Sequence, residues 1–291
     1  MKSFRKLVFF SILLFLCAVI TSACGDSYGG IDYYNPNVAY DGNSIIIIYD
    51  NDPKEVTLDD SVIDKLYKLG VLAKDSKHKK ELKKADIPDI FTYHGTQYKI
   101  VALGESVFED CESLEKVKIP DSVERIGDYA FYWCKSLEEI ELPDSVEEIG
   151  RATFKNCSYL KKINIPYKVK KIENETFQNC YCLNNITFGN RITTIGDSAF
   201  EQCNSLIEIT LPYSLIEIGD SAFEQCTLLQ NVMIQDGLRV IGDRAFYNCF
   251  HLTLYIPDSV EIIRGFWTLY NVNFYYDGSA SGSPWAGNKL E

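Results

Sequence analysis

One spacing governs this chain. Phe108, Phe131, Phe154, Phe177, Phe200, Phe223 and Phe246 are each 23 residues apart. Cys111, Cys134, Cys157, Cys180, Cys203, Cys226 and Cys249 keep the same step, and so do the Leu residues from Leu114 to Leu252. The nonapeptide Ile-Gly-Asp-Ser-Ala-Phe-Glu-Gln-Cys occurs twice, starting at Ile195 and at Ile218. A fixed period in the twenties specifies a solenoid, in which one coil cannot bury its apolar face and stacked coils can.

A single coil can be read from its residues. Leu114, Val117 and Ile119 space as a short half-buried strand that Pro120 ends. Val123 and Ile126 mark a second extended piece, and Gly127 permits a turn. Asp128, ahead of Ala130 and Phe131, reads as the cap of a short helical turn. The fold class is therefore a repeat solenoid of 23-residue coils with short parallel β-strands and short helical turns. Neighbouring strands about 4.8 Å apart make seven coils roughly 34 Å long.

The recurring Ile-Pro-x-x-Val-x-x-Ile-Gly-x-x-Ala-Phe-x-x-Cys-x-x-Leu resembles the BspA-type leucine-rich repeat of bacterial surface proteins. The resemblance covers about residues 86 to 288 and implies a leucine-rich-repeat stack. It also implies a role in adhesion to host proteins or to other bacteria. Departures from the pattern are Glu173 for the turn Gly, Gly189 and Gln235 for the Pro, and a coil shortened by one residue between Leu252 and Pro257. Thr268 and Asn271 stand where Phe and Cys are due, which reads as capping of the stack. Residues 91 to 100 alternate around His94-Gly95 and read as a capping hairpin at the other end.

The N-terminus carries an address. Lys2, Arg5 and Lys6 precede an apolar run from Leu7 to Ile20, then Thr21-Ser22-Ala23-Cys24. That is the pattern of an export signal over residues 1–23, too short for a comfortable membrane span. The last residues resemble a bacterial lipobox, although Thr21 stands where an aliphatic residue is usual. The resemblance implies lipidation of Cys24 and a membrane anchor through that lipid, with plain secretion as the alternative. Residues 24–43 then form a tether, 44–86 a small segment or cap, 87–264 the repeats, and 265–291 a C-terminal cap and tail. Within 44–86, Ile45 to Tyr49 is a strand candidate and Asp59 to Leu69 has helical spacing. The six Lys between positions 74 and 84 read as a solvated surface.

Chemistry is sparse. The chain has a formal charge of −12 and only three His. A net-acidic chain is a poor nucleic-acid binder, because neutralising phosphates needs clustered Lys and Arg. The ladder Cys occupy core columns and read as buried, inert thiols. Cys182 and His251 share a column but lie three coils apart, about 14 Å, too far for a nucleophile–base pair. Asp197, Asp220 and Asp243 stack in one column, where capping explains them more simply than calcium. No catalytic residue, metal or cofactor is expected. The candidate interface is the exposed aromatic cluster Tyr129, Tyr132 and Trp133 in the second coil. The expected function is a non-catalytic cell-surface module that binds a protein or glycan. The alternative is a structural or assembly component of the bacterial envelope.

Overall fold

In the computed structural model each repeat is one coil, and like residues of successive coils lie on one another. The structure describes residues 46–49, 82–87, 89–93, 96–265 and 267–276. These fall within one compact unit, Pro36–Glu291. The export signal, Cys24, the tether, the helix expected near residue 59 and the tail after Tyr276 lie outside the described residues.

Two ladders of short parallel strands run along the stack. The first holds strands such as Lys162–Asn164, Asn185–Thr187, Glu208–Thr210 and Asn231–Met233. The second holds the pieces that follow the Pro turn, from Arg125–Ile126 to Ile262–Ile263. Registers step by 23 residues, as in Ile209 with Val232 and Ile195 with Ile218. Past the shortened coil the step becomes 22, Val232 lying beside Leu254 and Ile241 beside Ile263. At the N-terminal end the expected hairpin is present. Ile90–Tyr93 pairs antiparallel with Thr96–Leu103. Ile46–Tyr49 lies antiparallel on the other edge of that strand, and Leu103 pairs in parallel with Ile126.

The seven Phe rings form one fully buried column. Their centroids are 5.1–5.5 Å apart with near-parallel planes. Burying each ring contributes roughly 1.5–3 kcal/mol, and stacking adds about 0.5–1.5 kcal/mol per pair. The Cys column lies beside it, also buried. Each thiol from Cys134 to Cys249 donates to the carbonyl of the Phe 26 residues earlier, at 3.1–3.3 Å. A small side chain fits this close column, and the S–H supplies a donor there that Ala lacks.

The turn segment differs from the expected short helical turn: among the described residues there is no helix. Seven successive coils each hold two left-handed residues instead, such as Ser198 (φ 52°) and Gln202 (φ 60°). These kinks aim alternate backbone N–H groups along the stack. Ser198, Phe200 and Gln202 donate to the carbonyls of Asp220, Ala222 and Glu224 in the next coil. A helix would turn those donors back on its own segment. The Asp column also caps across coils. Asp197 Oδ1 accepts from Asp220 N–H at 2.9 Å, and Asp220 Oδ1 from Asp243 N–H at 2.8 Å.

The Gly column is set by space. A Cβ on Gly219 would lie 2.5 Å from Asp197 Oδ1 and 2.7 Å from backbone atoms of the preceding coil. Glu173 occupies this column, and there the second ladder is interrupted. Glu148–Ile149 is not joined to Lys171–Ile172, whereas the flanking pairs are. Arg151 stands in the capping Asp column at the same seam. Ion pairs take over: Glu175 meets both Arg151 and Lys155. The first ladder lapses between Asn185–Thr187 and Glu208–Thr210. Phe188 replaces an aliphatic residue there and packs edge-on against Phe200 at 6.2 Å. It also lapses between Lys116–Lys118 and Glu139–Ile140, where no departure from the pattern accounts for it.

At the C-terminal end the repeat runs one coil further than the sequence pattern indicates. Leu269 and Val272, not Thr268 and Asn271, continue the Phe and Cys columns. Val272 N–H bonds to Leu269 C=O as Cys249 N–H bonds to Phe246 C=O, and both side chains pack on the core. Thr268 takes the Ala column, buried, with its hydroxyl donating to Gly242 C=O at 3.0 Å. Asn271 is the left-handed residue (φ 63°), and its amide reaches Asn248 Oδ1 at 3.2 Å. Asn273–Tyr276 closes the first ladder against Thr253–Ile256.

Candidate functional site

Tyr129, Tyr132 and Trp133 come together on the turn side of the second coil. The Tyr129 and Tyr132 rings meet edge-on at 5.7 Å, and Tyr132 lies 6.1 Å from Trp133. The tyrosines are half-buried, and Trp133 is 37% exposed. Two of the three sit on unusual backbone. Tyr129 has φ 56° and Trp133 φ 61°. Other coils fill the first position with Ser106, Ala152, Glu175, Ser198, Ser221 and Arg244. They fill the second with Asp, Asn or Gln. Asn and Asp tolerate left-handed backbone, whereas a bulky aromatic there is an outlier.

Cations flank the rings but are already engaged. Lys135 Nζ lies 4.4 Å from the Trp133 ring centre and 3.1 Å from Glu112. Arg151 lies 6.0 Å from the Tyr129 ring and pairs with Glu175. Burial works to raise the Glu175 carboxyl, but hydrogen bonds from Lys155 and Arg151 outweigh it and hold it below its ordinary range. On the opposite side the preceding coil presents acids. By the 23-residue step Glu109 neighbours Tyr132, and Asp110 neighbours Trp133. Asp110 N–H bonds to Tyr132 C=O at 2.9 Å.

Further along the stack, charges pair between coils. Lys161 meets Glu138 at 2.7 Å, and Lys168 meets Glu147 at 2.8 Å. The Lys168 hydrogen bond lowers the Glu147 pKa.

A second aromatic surface escaped the sequence reading. Met233, Tyr255 and Tyr275 line up on the strand face, the two tyrosine rings stacked at 5.0 Å. Tyr247, Trp267 and Tyr270 cluster on the turn side of the last coils. Met233, Tyr255 and Tyr275 fall into line only once the steps of 22 and 20 residues after Met233 are known, whereas Tyr247 and Tyr270 keep the step of 23.

The thiols offer no nucleophile along the ladder. Burial pushes Cys134, Cys157, Cys180, Cys203 and Cys226 well up, and Cys249 up to about 12. Among the described residues no group of three or more His, Cys, Asp or Glu is placed to hold a metal ion.

This stack of parallel strands over a Phe–Cys–Leu interior matches a family model described as the BspA type leucine-rich repeat region, in six copies over residues 99–206 and 147–273. The chain belongs to the BspA-type leucine-rich repeat family. It is similar to a leucine-rich repeat protein of T. pallidum at 29% identity, with 61% of this chain and 79% of that one covered and a TM-score of 0.53. It is also similar to a leucine-rich repeat protein from Eubacterium ventriosum at 26% identity, with coverage of 58% and 43% and a TM-score of 0.50. No curated protein is significantly similar to the chain. The BspA-type family points to a protein-binding or surface role, and its members are non-catalytic repeat proteins.

Proposed function

We propose that this BspA-type protein is a non-catalytic, adhesion-type binding module of the bacterial cell surface. It is exported by residues 1–23 and held to the membrane by lipid on Cys24. Residues 24–43 serve as a tether, and the Tyr129–Tyr132–Trp133 cluster is the contact surface. The observation that carries this reading is the backbone of the second coil. Left-handed backbone costs an ordinary residue about 1–2 kcal/mol. Two aromatic side chains are held there although the neighbouring coils use Ser106 and Ala152 at the first position and Asp110 and Asn156 at the second. A strained, partly exposed aromatic pair is of little use to the stack and is well suited to a partner, since Trp and Tyr dominate binding hot spots.

The test is capture of partners by the full chain, from host matrix extract and from the bacterium's own envelope, in parallel with Trp133→Asn. A matrix partner lost in the variant supports the adhesion reading. Partners drawn only from the envelope favour an assembly component instead. Capture unaffected by the substitution removes the cluster from the contact surface. Metabolic labelling with a fatty acid, with and without Cys24→Ser, tests the anchor; equal labelling of both chains rejects it.

A further inference from the structure

The aromatic cluster has a directional electrostatic setting. Every cation beside it has a carboxylate partner, Lys135 with Glu112, and Arg151 and Lys155 sharing Glu175, so it takes the further acids Glu109, Asp110 and Asp128 to leave the patch negative. Glu109 and Asp110, in the row directly beside Tyr132 and Trp133, have no cation within ion-pair distance among the described residues. Asp128 adjoins Tyr129 in sequence and is exposed, with one carboxylate oxygen accepting the Arg151 N–H at 2.7 Å. The patch therefore combines aromatic surface with uncompensated negative charge, on a chain whose formal charge is −12.

Resting on the binding reading above, we propose that the partner is a cationic protein segment. Its Arg or Lys side chains lie against Tyr129, Tyr132 and Trp133 and pair with Glu109 and Asp110. The chain's own Lys135 over Trp133 and Arg151 over Tyr129 show that these rings accept cations. Aromatic faces attract cations by about 0.5–1 kcal/mol at exposed sites. Neighbouring carboxylates add Coulomb attraction that salt screens over about 10 Å at 0.1 M. An acidic glycan meets repulsion at the same row.

The full chain is titrated, by fluorescence anisotropy, against three probes: a short labelled peptide of alternating Arg and Ser, its Glu–Ser counterpart, and labelled dextran. The Arg peptide binds, and added salt weakens it. Trp133→Asn with Tyr129→Ser weakens it about tenfold, from the loss of two cation–ring contacts. These two substitutions install side chains that other coils carry at the same positions, such as Asn156 and Ser198, so the coil keeps its fold. Glu109→Gln with Asp110→Asn weakens binding severalfold and flattens the salt dependence. Tyr255→Ser, on the other aromatic surface, leaves it unchanged. If dextran or the Glu peptide binds and is lost in the Trp133→Asn, Tyr129→Ser chain, the patch stands as a contact surface and the cationic partner is overturned. If the Arg peptide binds equally to wild type and to either double variant, or binds nowhere, the proposal falls. The capture experiment then judges the binding reading separately.

Discussion

The Cys column makes the fold sensitive to alkali. Six thiols, Cys134 through Cys249, are buried with their pKa values raised by that burial. In an unfolded chain a Cys titrates near 8.5. A group whose folded pKa lies above its unfolded value stabilises fully below the unfolded pKa. That contribution is lost as pH rises toward the folded value. At pH 10 each unfolded thiolate therefore favours unfolding by about 2 kcal/mol while the folded thiols stay protonated. Six together reach about 12 kcal/mol, comparable to the whole stability of an ordinary domain, roughly 5–15 kcal/mol. Urea unfolding under reducing conditions at pH 7.5, 9 and 10 reads this directly. The midpoint should hold below about pH 8.5, then fall steeply and approach zero near pH 10. Cys203→Ala isolates the cause. It is less stable at neutral pH, having lost its bond to Phe177 C=O, but its alkaline slope is shallower by about a sixth. A constant midpoint up to pH 10 would refute the reasoning. So would thiolate absorbance growing in protein that is still folded.

Other perturbations test the remaining contacts. Gly219→Ala forces a Cβ against Asp197 and breaks two bonds, Gly219 N–H to Ile195 C=O and Asp220 N–H to Asp197 Oδ1. The expected loss is about 2–4 kcal/mol in denaturant titration, and a loss under about 0.5 kcal/mol contradicts the spacing argument. Iodoacetamide at neutral pH should modify half-buried Cys182 and spare Cys111 through Cys249 until urea is added; mass spectrometry showing ladder adducts on folded protein counts against the packing. Phe177→Ala, in the middle of the ring column, should cost about 3–5 kcal/mol and split unfolding into two transitions, because coils couple only to their neighbours. A single transition of unchanged sharpness opposes that view.

What the sequence discloses depends on whether a feature acts within a column or between columns. Phe154 over Phe177 was legible because burial repeats with the coil, and identical side chains mark it. The turn was misread as helical because Asp128-x-Ala-Phe carries a helix-start signature, while the bonds that decide it run to the next coil. Leu269 and Val272 were missed for a different reason. One residue lost before Pro257 is regained before Thr268, so a count that carries the loss forward lands one position early, on Thr268 and Asn271, whereas the unbroken step of 23 from Phe246 and Cys249 reaches Leu269 and Val272. Glu173 stood out as a departure, but its consequence, a parted ladder, follows only from how little room a Cβ has beside the preceding coil. The candidate cluster was half legible. Tyr129, Tyr132 and Trp133 are close in sequence and announce themselves, whereas their acidic neighbours Glu109 and Asp110 belong to the preceding coil. In a solenoid the columns fix what the fold demands at each position, here a non-aromatic residue at the two left-handed sites of each turn: Ser, Ala, Glu or Arg at the first and Asp, Asn or Gln at the second in the other coils. Tyr129 and Trp133 depart from that set side by side, meeting Tyr132, Lys135 and Arg151 within the stack and leaving Trp133 exposed. That departure is the ground on which we propose that the cluster contacts another molecule.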